Sequence, residues 1–302
     1  MVKTNSPHAW WLAARPKTLT GATAPVIVAL AAAFGTYGQI DMPTAILCLL
    51  FALLMQTDAN LVNDYFDCLH GVDTAERLGP ERACAQGWIT LPAMRCGLYI
   101  VTVLACLTGL PLVAWGGWQC VAVGLACVAF CFLYTTLFSR IALGDVLVIL
   151  FFGLCPVAYT FYLQHPLPSL TDIPSGIWFL ALAQGLVTDC LLIVNNLRDR
   201  DTDAATGKTT LVTIIGARAT LWLYGLIGIA ACLLACLGQN LLSPRQAVST
   251  RTFIPLLFLP LHGYILYLLH TISRGRALNR VLGMTAMSIF VFALLVTLSL
   301  SL

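Results

Sequence analysis

Charged side chains are scarce in this sequence of 302 residues: 10% are charged, whereas 59% are hydrophobic, and the mean hydropathy is +0.88. A soluble globular domain carries about 25% charged residues, so most of the surface of this chain must face lipid rather than water. The scarcity excludes a soluble protein. It predicts an all-α integral membrane protein that crosses the bilayer several times.

Three familiar sequence patterns are also absent. The twelve cysteines lie mostly in apolar segments without CxxC spacing, so we interpret them as small buried residues rather than as disulfides or zinc ligands. No Ser/Gly-rich linker interrupts the chain, which predicts a single transmembrane domain over residues 1–302. The first apolar run lacks a signal-peptide cleavage site, and Trp10 and Trp11 before it are typical of an interfacial anchor.

Long apolar runs are abundant, and a helix of about 20 such residues crosses roughly 30 Å of hydrocarbon. We predict about nine transmembrane helices around a central cavity. Their approximate ranges are 19–37, 45–62, 98–115, 118–138, 141–163, 176–196, 211–237, 253–271 and 281–300.

The basic residues predict the orientation of these helices. With the N-terminus inside, fourteen of the sixteen Lys and Arg residues fall in the inside segments, and only Arg245 and Arg251 fall outside. Positive loops stay in the cytoplasm, so we expect these segments, and the acidic clusters that lie in them, to face the cytoplasm. The net charge of +3 follows this topology and does not indicate nucleic-acid binding.

The few acidic residues are concentrated at two places. One cluster is Asn63-Asp64-Tyr65-Phe66-Asp67, and the other is Asn195-Asn196-Leu197-Arg198-Asp199 with Asp201 and Asp203. Seven of the thirteen acids belong to these places or lie near them: Asp58, Asp64, Asp67, Asp73, Asp199, Asp201 and Asp203. Both clusters directly follow apolar runs. They therefore place metal-binding oxygens at one membrane surface.

The spacing within each cluster puts its polar side chains on one helix face. The first face carries Asn60, Asn63, Asp64 and Asp67, and the second carries Asn195, Asp199 and Asp203. Oxygen-only ligands suit Mg²⁺, which takes its remaining ligands from water and a substrate phosphate. A solvated loop is the alternative, but acids at a helix C-terminus oppose the helix dipole. We predict Mg²⁺ binding by Asn63, Asp67, Asn195, Asp199 and Asp203 and substrate binding by Asn60. The predicted catalytic residues are Asp64, Asp67, Asp199, Asp203 and Lys208.

The two clusters resemble each other. Thr57-Asp58 precedes the first cluster, and Thr188-Asp189 precedes the second at a similar distance. A duplicated helical unit would place the clusters face to face across a cavity, where they could clamp one diphosphate. Chance similarity remains the alternative, because the shared string is short.

Several other residues are candidates for binding substrate. Lys208, Arg15 and Lys17 could neutralise diphosphate oxygens, although topology alone also favours basic residues there. Arg140 could likewise bind substrate or be explained by topology alone. Tyr134 could bind substrate or be an interfacial tyrosine. Asp145 lies within an apolar segment, which marks either the aromatic end of the cavity or the interface.

These motifs resemble those of the UbiA superfamily of membrane prenyltransferases, and are most like the branch that prenylates 1,4-dihydroxy-2-naphthoate in menaquinone synthesis. The resemblance covers about residues 10–220. It rests on both aspartate-rich clusters, on the Ala14-Arg15-Pro16-Lys17 string, and on Gly207-Lys208 after the second cluster. It implies the UbiA-type fold, with Mg²⁺ as cofactor and a polyprenyl diphosphate and an aromatic acid as substrates. In that branch the ring carboxyl group is lost on prenylation.

Two other functions remain open from the sequence. Another acceptor, such as 4-hydroxybenzoate or homogentisate, would use the same cavity. A transporter would also contain intramembrane acids and a repeat, but the polar groups here gather at one membrane face instead of running through the full depth. Neither the prenyl chain length nor the oligomeric state follows from the sequence.

Overall fold

The structure is a computed structural model that describes residues 2–71, 78–137, 141–165, 167–242 and 249–302. Within these ranges the chain is helical and contains no β-strand, apart from one isolated bridge between Ile141 and Thr209. The prediction of an all-α protein is therefore confirmed.

Twelve α-helices run through the described residues. They are α1 (Pro7–Ala14), α2 (Leu19–Tyr37), α3 (Met42–Leu69), α4 (Leu91–Gly109), α5 (Val113–Gly116), α6 (Gln119–Thr136), α7 (Gly144–Ile149), α8 (Cys155–Gln164), α9 (Ser175–Ala205), α10 (Leu211–Leu242), α11 (Leu259–Ile272) and α12 (Leu278–Ser301). A π-helical turn, Leu150–Leu154, joins α7 to α8 in one continuous segment.

Eight helical segments of the described chain are long and apolar enough to cross a membrane, and α6 is a shorter ninth. They match the nine predicted segments one by one, so the protein is an integral membrane protein with the predicted order of helices. The exposed side chains of these segments are largely apolar, including Leu125, Trp222 and Leu233. Exposed apolar residues of this kind are expected where the surroundings are lipid.

Two helices continue beyond the predicted membrane spans, as the helical spacing of the two clusters predicted. We expected the membrane spans to end near residues 62 and 196, with polar connections after them. Beyond these points α3 continues to Leu69 and α9 continues to Ala205. Both clusters are therefore helical, because ion pairs and backbone hydrogen bonds satisfy the polar side chains of these last turns.

A close helix crossing fixes the position of α9 in the bundle. Gly153 in the π-helical turn lies against Gly185 of α9, where an added Cβ would come within 2.5 Å of the Gly185 Cα atom. Only glycine allows such an approach. The crossing brings the segment that carries Asp145 directly against the helix that carries the second cluster.

The ends of α3 and α9 meet at the same end of the bundle. The segment of residues 78–90, here called the cap, connects to this end through several elements. Trp88 O accepts a 2.8 Å hydrogen bond from the N–H of Asn5, and Leu78 O accepts one of 2.8 Å from Asn279 of α12. The cap therefore contacts the N-terminal segment and α12 as well as α3.

Candidate active site

A central cavity of about 1760 Å³ opens among the helices, and both clusters line it. Asn63 and Asp67 reach it from α3, and Asn195, Asp199 and Asp203 reach it from α9. Residues separated by about 130 positions thus share one space. The fold thus brings the five residues predicted to bind metal to one cavity.

The first cluster presents one amide and one carboxylate to the cavity. Asn63 Oδ1 accepts a hydrogen bond of 2.7 Å from the Thr135 hydroxyl on α6. Asp67 Oδ2 accepts one of 2.7 Å from Arg82 Nη2 on the cap, and this is an ion pair. Both side chains are therefore oriented by a neighbour from another element.

Two predicted residues of the first cluster face away from the cavity. Asp64 is fully buried, and its carboxylate oxygens accept hydrogen bonds from the backbone N–H groups of Ala83 and Cys84, at 2.9 and 3.1 Å. Asn60 donates to Ala14 O and to the Thr18 hydroxyl, both at 2.9 Å. Asp64 is thus bonded to the cap and Asn60 to the N-terminal segment, and neither lines the cavity. Their predicted roles in catalysis and substrate binding stay predictions.

The width of the polar face of α3 explains why its residues have different neighbours. Positions i, i+3, i+4 and i+7 span a broad face, and a face of that width contacts more than one neighbour. Asn63 and Asp67 lie on the cavity side of it. Asp64 lies on the side that packs against the cap.

The second cluster is organised around Arg198, whose side chain is only 1% exposed. Its Nε and Nη2 atoms form a fork on the Asp199 carboxylate, at 2.8 and 2.5 Å. Nη2 also donates to Asn195 Oδ1 at 2.8 Å, and Nη1 donates to Asn279 Oδ1 at 2.9 Å. One guanidinium therefore holds two of the predicted metal ligands.

The remaining candidates can be placed directly. Lys208 Nζ lies 3.2 and 3.3 Å from the two Asp203 carboxylate oxygens. Four other substrate-binding candidates line the same cavity: Arg15, Lys17, Tyr134 and Asp145. Asn60, the remaining described candidate, does not. Arg140, like Asp73, lies outside the described residues.

The oxygen donors of the two clusters suit Mg²⁺. No group of three or more His, Cys, Asp and Glu residues converges among the described residues. The cavity instead offers separate carboxylates, each beside an amide or a cation. This fits an ion that takes one or two carboxylates from the protein and its other ligands from substrate phosphate and water, which is the usual mode for Mg²⁺. The residues that would hold it are Asn63, Asp67, Asn195, Asp199 and Asp203.

Sequence reasoning missed three residues of this site. Arg82, 15 residues after Asp67, was not assigned a role, and Arg198 stood inside the second cluster without one. An arginine one residue before a candidate ligand was the available signal for Arg198. Asn279 gave no signal at all, since it lies about 80 residues further along the chain.

Deeper in the cavity the lining becomes apolar and aromatic. Phe130 of α6 and Phe151 of the π-helical turn stack with their ring centroids 4.0 Å apart. Tyr134, one turn beyond Phe130, lies 5.4 Å from it between ring centroids. The cavity is therefore polar and charged at one end, and apolar at the other.

Comparison with known proteins agrees with this architecture. The chain is 39% identical to the 1,4-dihydroxy-2-naphthoate octaprenyltransferase of Escherichia coli over 69% of each chain. It is 32% identical to the protein of the same name from Haemophilus influenzae over 85% of each chain. The fold resembles that of a UbiA homologue from Archaeoglobus fulgidus bound to GPP and Mg²⁺, with a TM-score of 0.61 at 14% identity, over 97% of this chain and 100% of that one. The sequence pattern of the UbiA prenyltransferase family matches residues 22–294. Because of this match, and because of the 39% and 32% identity to these two relatives, the chain belongs to that family.

Proposed function

We propose that this protein transfers a polyprenyl chain from its diphosphate to 1,4-dihydroxy-2-naphthoate, with Mg²⁺ as cofactor and loss of the ring carboxyl group. The observation that carries the proposal is the single cavity, which has carboxylates and cations at one end and an apolar lining at the other. A prenyl diphosphate is likewise charged at its diphosphate end and apolar along its prenyl chain. The names of the relatives supply the acceptor.

The charged end of the cavity binds the diphosphate. Mg²⁺, when bound by the carboxylates and amides of the two clusters, neutralises the charge that develops on the leaving diphosphate. Arg82 and Lys208 lie beside Asp67 and Asp203 and supply positive charge at the same place. Such groups lower the barrier because they stabilise charge that grows as the allylic C–O bond breaks.

The apolar end of the cavity holds the prenyl chain and excludes water. Phe130 and Phe151 present stacked rings to this space, and aromatic faces stabilise a positive charge on a neighbouring carbon. Exclusion of water suppresses hydrolysis of the prenyl group. Tyr134 lies beside Phe130, and both Tyr134 and Asp145 line the cavity. We assign these two residues to the aromatic acceptor.

The transfer conserves atoms and electrons. The allylic C–O bond breaks and its electron pair leaves with the diphosphate, while the ring carbon that bears the carboxylate supplies the pair for the new C–C bond. The carboxylate then leaves as carbon dioxide, and the electron pair of its C–C bond restores the aromatic ring. No external oxidant or reductant is required.

We also infer that the charged end faces the cytoplasm of a bacterial inner membrane. The basic residues support this orientation, because fourteen of sixteen lie in segments that the nine-helix topology puts on one side. A water-soluble aromatic acid made in the cytoplasm would then reach the cavity without crossing the membrane.

The test uses purified protein in detergent. With Mg²⁺, a polyprenyl diphosphate and the naphthoate, we expect a prenylated product and one carbon dioxide released per transfer from a carboxyl-labelled acceptor. EDTA should stop both, and Mg²⁺ should restore them. Turnover of 4-hydroxybenzoate or homogentisate but not of the naphthoate would refute the acceptor, and absence of any prenyl transfer would refute the enzyme.

A further inference from the structure

We propose that Asn279 of α12 is a positioning residue: it locks Arg198 onto the ligands of the second cluster and ties that cluster to the cap. The inference rests on the proposed metal-dependent function. Asn279 bridges three elements, because its Oδ1 accepts from Arg198 Nη1 at 2.9 Å and its Nδ2 donates to Leu78 O at 2.8 Å. Each end of its amide group thus has its own partner.

Arg198 differs from the other two cations that pair with cluster carboxylates. Its side chain is 1% exposed, compared with 9% for Arg82 and 30% for Lys208. A buried arginine whose three nitrogen atoms all have acceptors cannot swing toward a substrate without leaving polar atoms unpaired. Lys208, the most exposed of the three cations, can reorient toward a diphosphate. Arg198 stays in place and orients Asp199 and Asn195.

The cap completes this arrangement. A Cβ added at Gly79 would lie 2.8 Å from Arg198 Nη2, so the guanidinium packs directly on the cap backbone. The cap also carries Arg82, which pairs with Asp67 of the first cluster. Asn279 therefore connects the two halves of the site: through Arg198 to the second cluster, and through Leu78 and the cap to the first.

The physical consequence concerns the affinity for the metal. Groups that orient metal ligands from behind typically change metal affinity by about 10–100-fold when they are removed. Without Asn279, one arm of Arg198 loses its acceptor, and the guanidinium is free to tilt away from Asp199. The ligands remain present but are less well oriented, so Mg²⁺ should bind more weakly. The rate of prenyl transfer at saturating Mg²⁺ should change less.

The experiment measures thermal stabilisation of the purified protein by Mg²⁺ at a fixed concentration of inorganic pyrophosphate. In Asn279→Ala we expect the half-saturating Mg²⁺ concentration to rise about tenfold. Asn279→Asp keeps an oxygen acceptor for Arg198, so its half-saturating Mg²⁺ concentration should stay closer to that of the wild type. This variant can be measured if the alanine variant does not fold. Ser288→Ala is the matched control on α12, because this buried hydroxyl donates only to Thr285 O within its own helix.

A double-mutant cycle then tests the connection through Arg198. If Asn279 acts through Arg198, Asn279→Ala should add little in an Arg198→Lys background. Full additivity, an unchanged Mg²⁺ dependence in Asn279→Ala, or an equal shift in Ser288→Ala would each overturn the role of Asn279 while leaving the proposed function intact. A wild-type protein that is not stabilised by Mg²⁺ and pyrophosphate would overturn both.

Discussion

The charged end of the cavity is neutralised residue by residue. Asp67 pairs with Arg82, Asp199 with Arg198, and Asp203 with Lys208, at distances of 2.5 to 3.2 Å. Carboxylates that face a cavity in the membrane are costly unless they are paired. These cations therefore stabilise the site before substrate arrives, and under the proposed function each carboxylate would be shared with Mg²⁺.

The first prediction concerns two of these carboxylates. Asp67→Ala and Asp199→Ala should each lower kcat/KM for prenyl transfer by at least about a hundredfold, which corresponds to about 2.7 kcal/mol of transition-state stabilisation. Asp201→Ala is the control, because its side chain is 71% exposed, pairs with Arg200 and does not line the cavity. It should keep nearly full activity. Near-normal turnover in both cavity variants would refute metal binding by the two clusters.

The second prediction separates Asp64 from its neighbour Asp67. Asp64→Ala leaves the N–H groups of Ala83 and Cys84 without their acceptor, and each such loss costs about 1–3 kcal/mol. We expect a clear fall in the unfolding temperature in detergent, larger than that of Asp67→Ala. An Asp64→Ala protein with a wild-type unfolding temperature and no activity would instead return Asp64 to the catalytic residues.

At the scale of elements, the length of α3 and α9 decides where the clusters lie. Both helices continue past the apolar run, so that the cluster side chains keep helical spacing and face one cavity. The partners that make this possible come from elsewhere: the cap for α3, and α12 for α9. Neither helix would retain these last turns on propensity alone, because acids at a helix C-terminus oppose the dipole.

The third prediction tests the crossing that positions α9. Gly153→Ala would put a Cβ within 2.5 Å of the Gly185 Cα atom and 2.6 Å of Ala181 O, which are backbone atoms that cannot rotate away. Overpacking of this kind costs about 1–3 kcal/mol or more, so the unfolding temperature and prenyl transfer should both fall. Gly263→Ala on α11 is the control, since nothing lies within 4 Å of the added Cβ. Equal stability of the two variants would show that the crossing is not tight.

At the scale of the whole molecule, the two ends of the bundle differ in character. The site end contains the clusters, the cap and most of the ion pairs. At the other end, uncharged groups bridge the helices, as where Gln164 Oε1 accepts from the N–H of Asp41 at 2.9 Å and its Nε2 donates to the Thr44 hydroxyl at 2.8 Å. The Lys and Arg residues of the site end are the charges to which the positive-inside rule applies.

The fourth prediction concerns sidedness. In a background without the twelve native cysteines, Gln86→Cys on the exposed part of the cap should react with an impermeant thiol reagent only from the cytoplasmic side. Gln39→Cys, exposed in the connection between α2 and α3, should react only from outside. Labelling of Gln86→Cys on intact cells would invert the topology and move the active site to the opposite face.

Much of this architecture could be predicted from local chemistry. The apolar runs determined the number and order of the helices, because only a helix satisfies its own backbone in lipid. The acidic residues indicated the site, because they are few and are concentrated at two places. The spacing of Asn63 with Asp67 and of Asn195 with Asp199 put each pair on one helix face. These features depend on a single segment at a time.

Other features were decided only by tertiary structure. Asp64 and Asp67 belong to the same pattern, yet one holds the cap and the other lines the cavity, because the neighbours of α3 differ on its two sides. The role of Arg198 depends on Asn279, and the length of α3 depends on the cap. The sequence by itself determined which groups are available and on which helix they lie. Packing determined what each group contacts, because a contact between distant segments exists only after the whole bundle has formed.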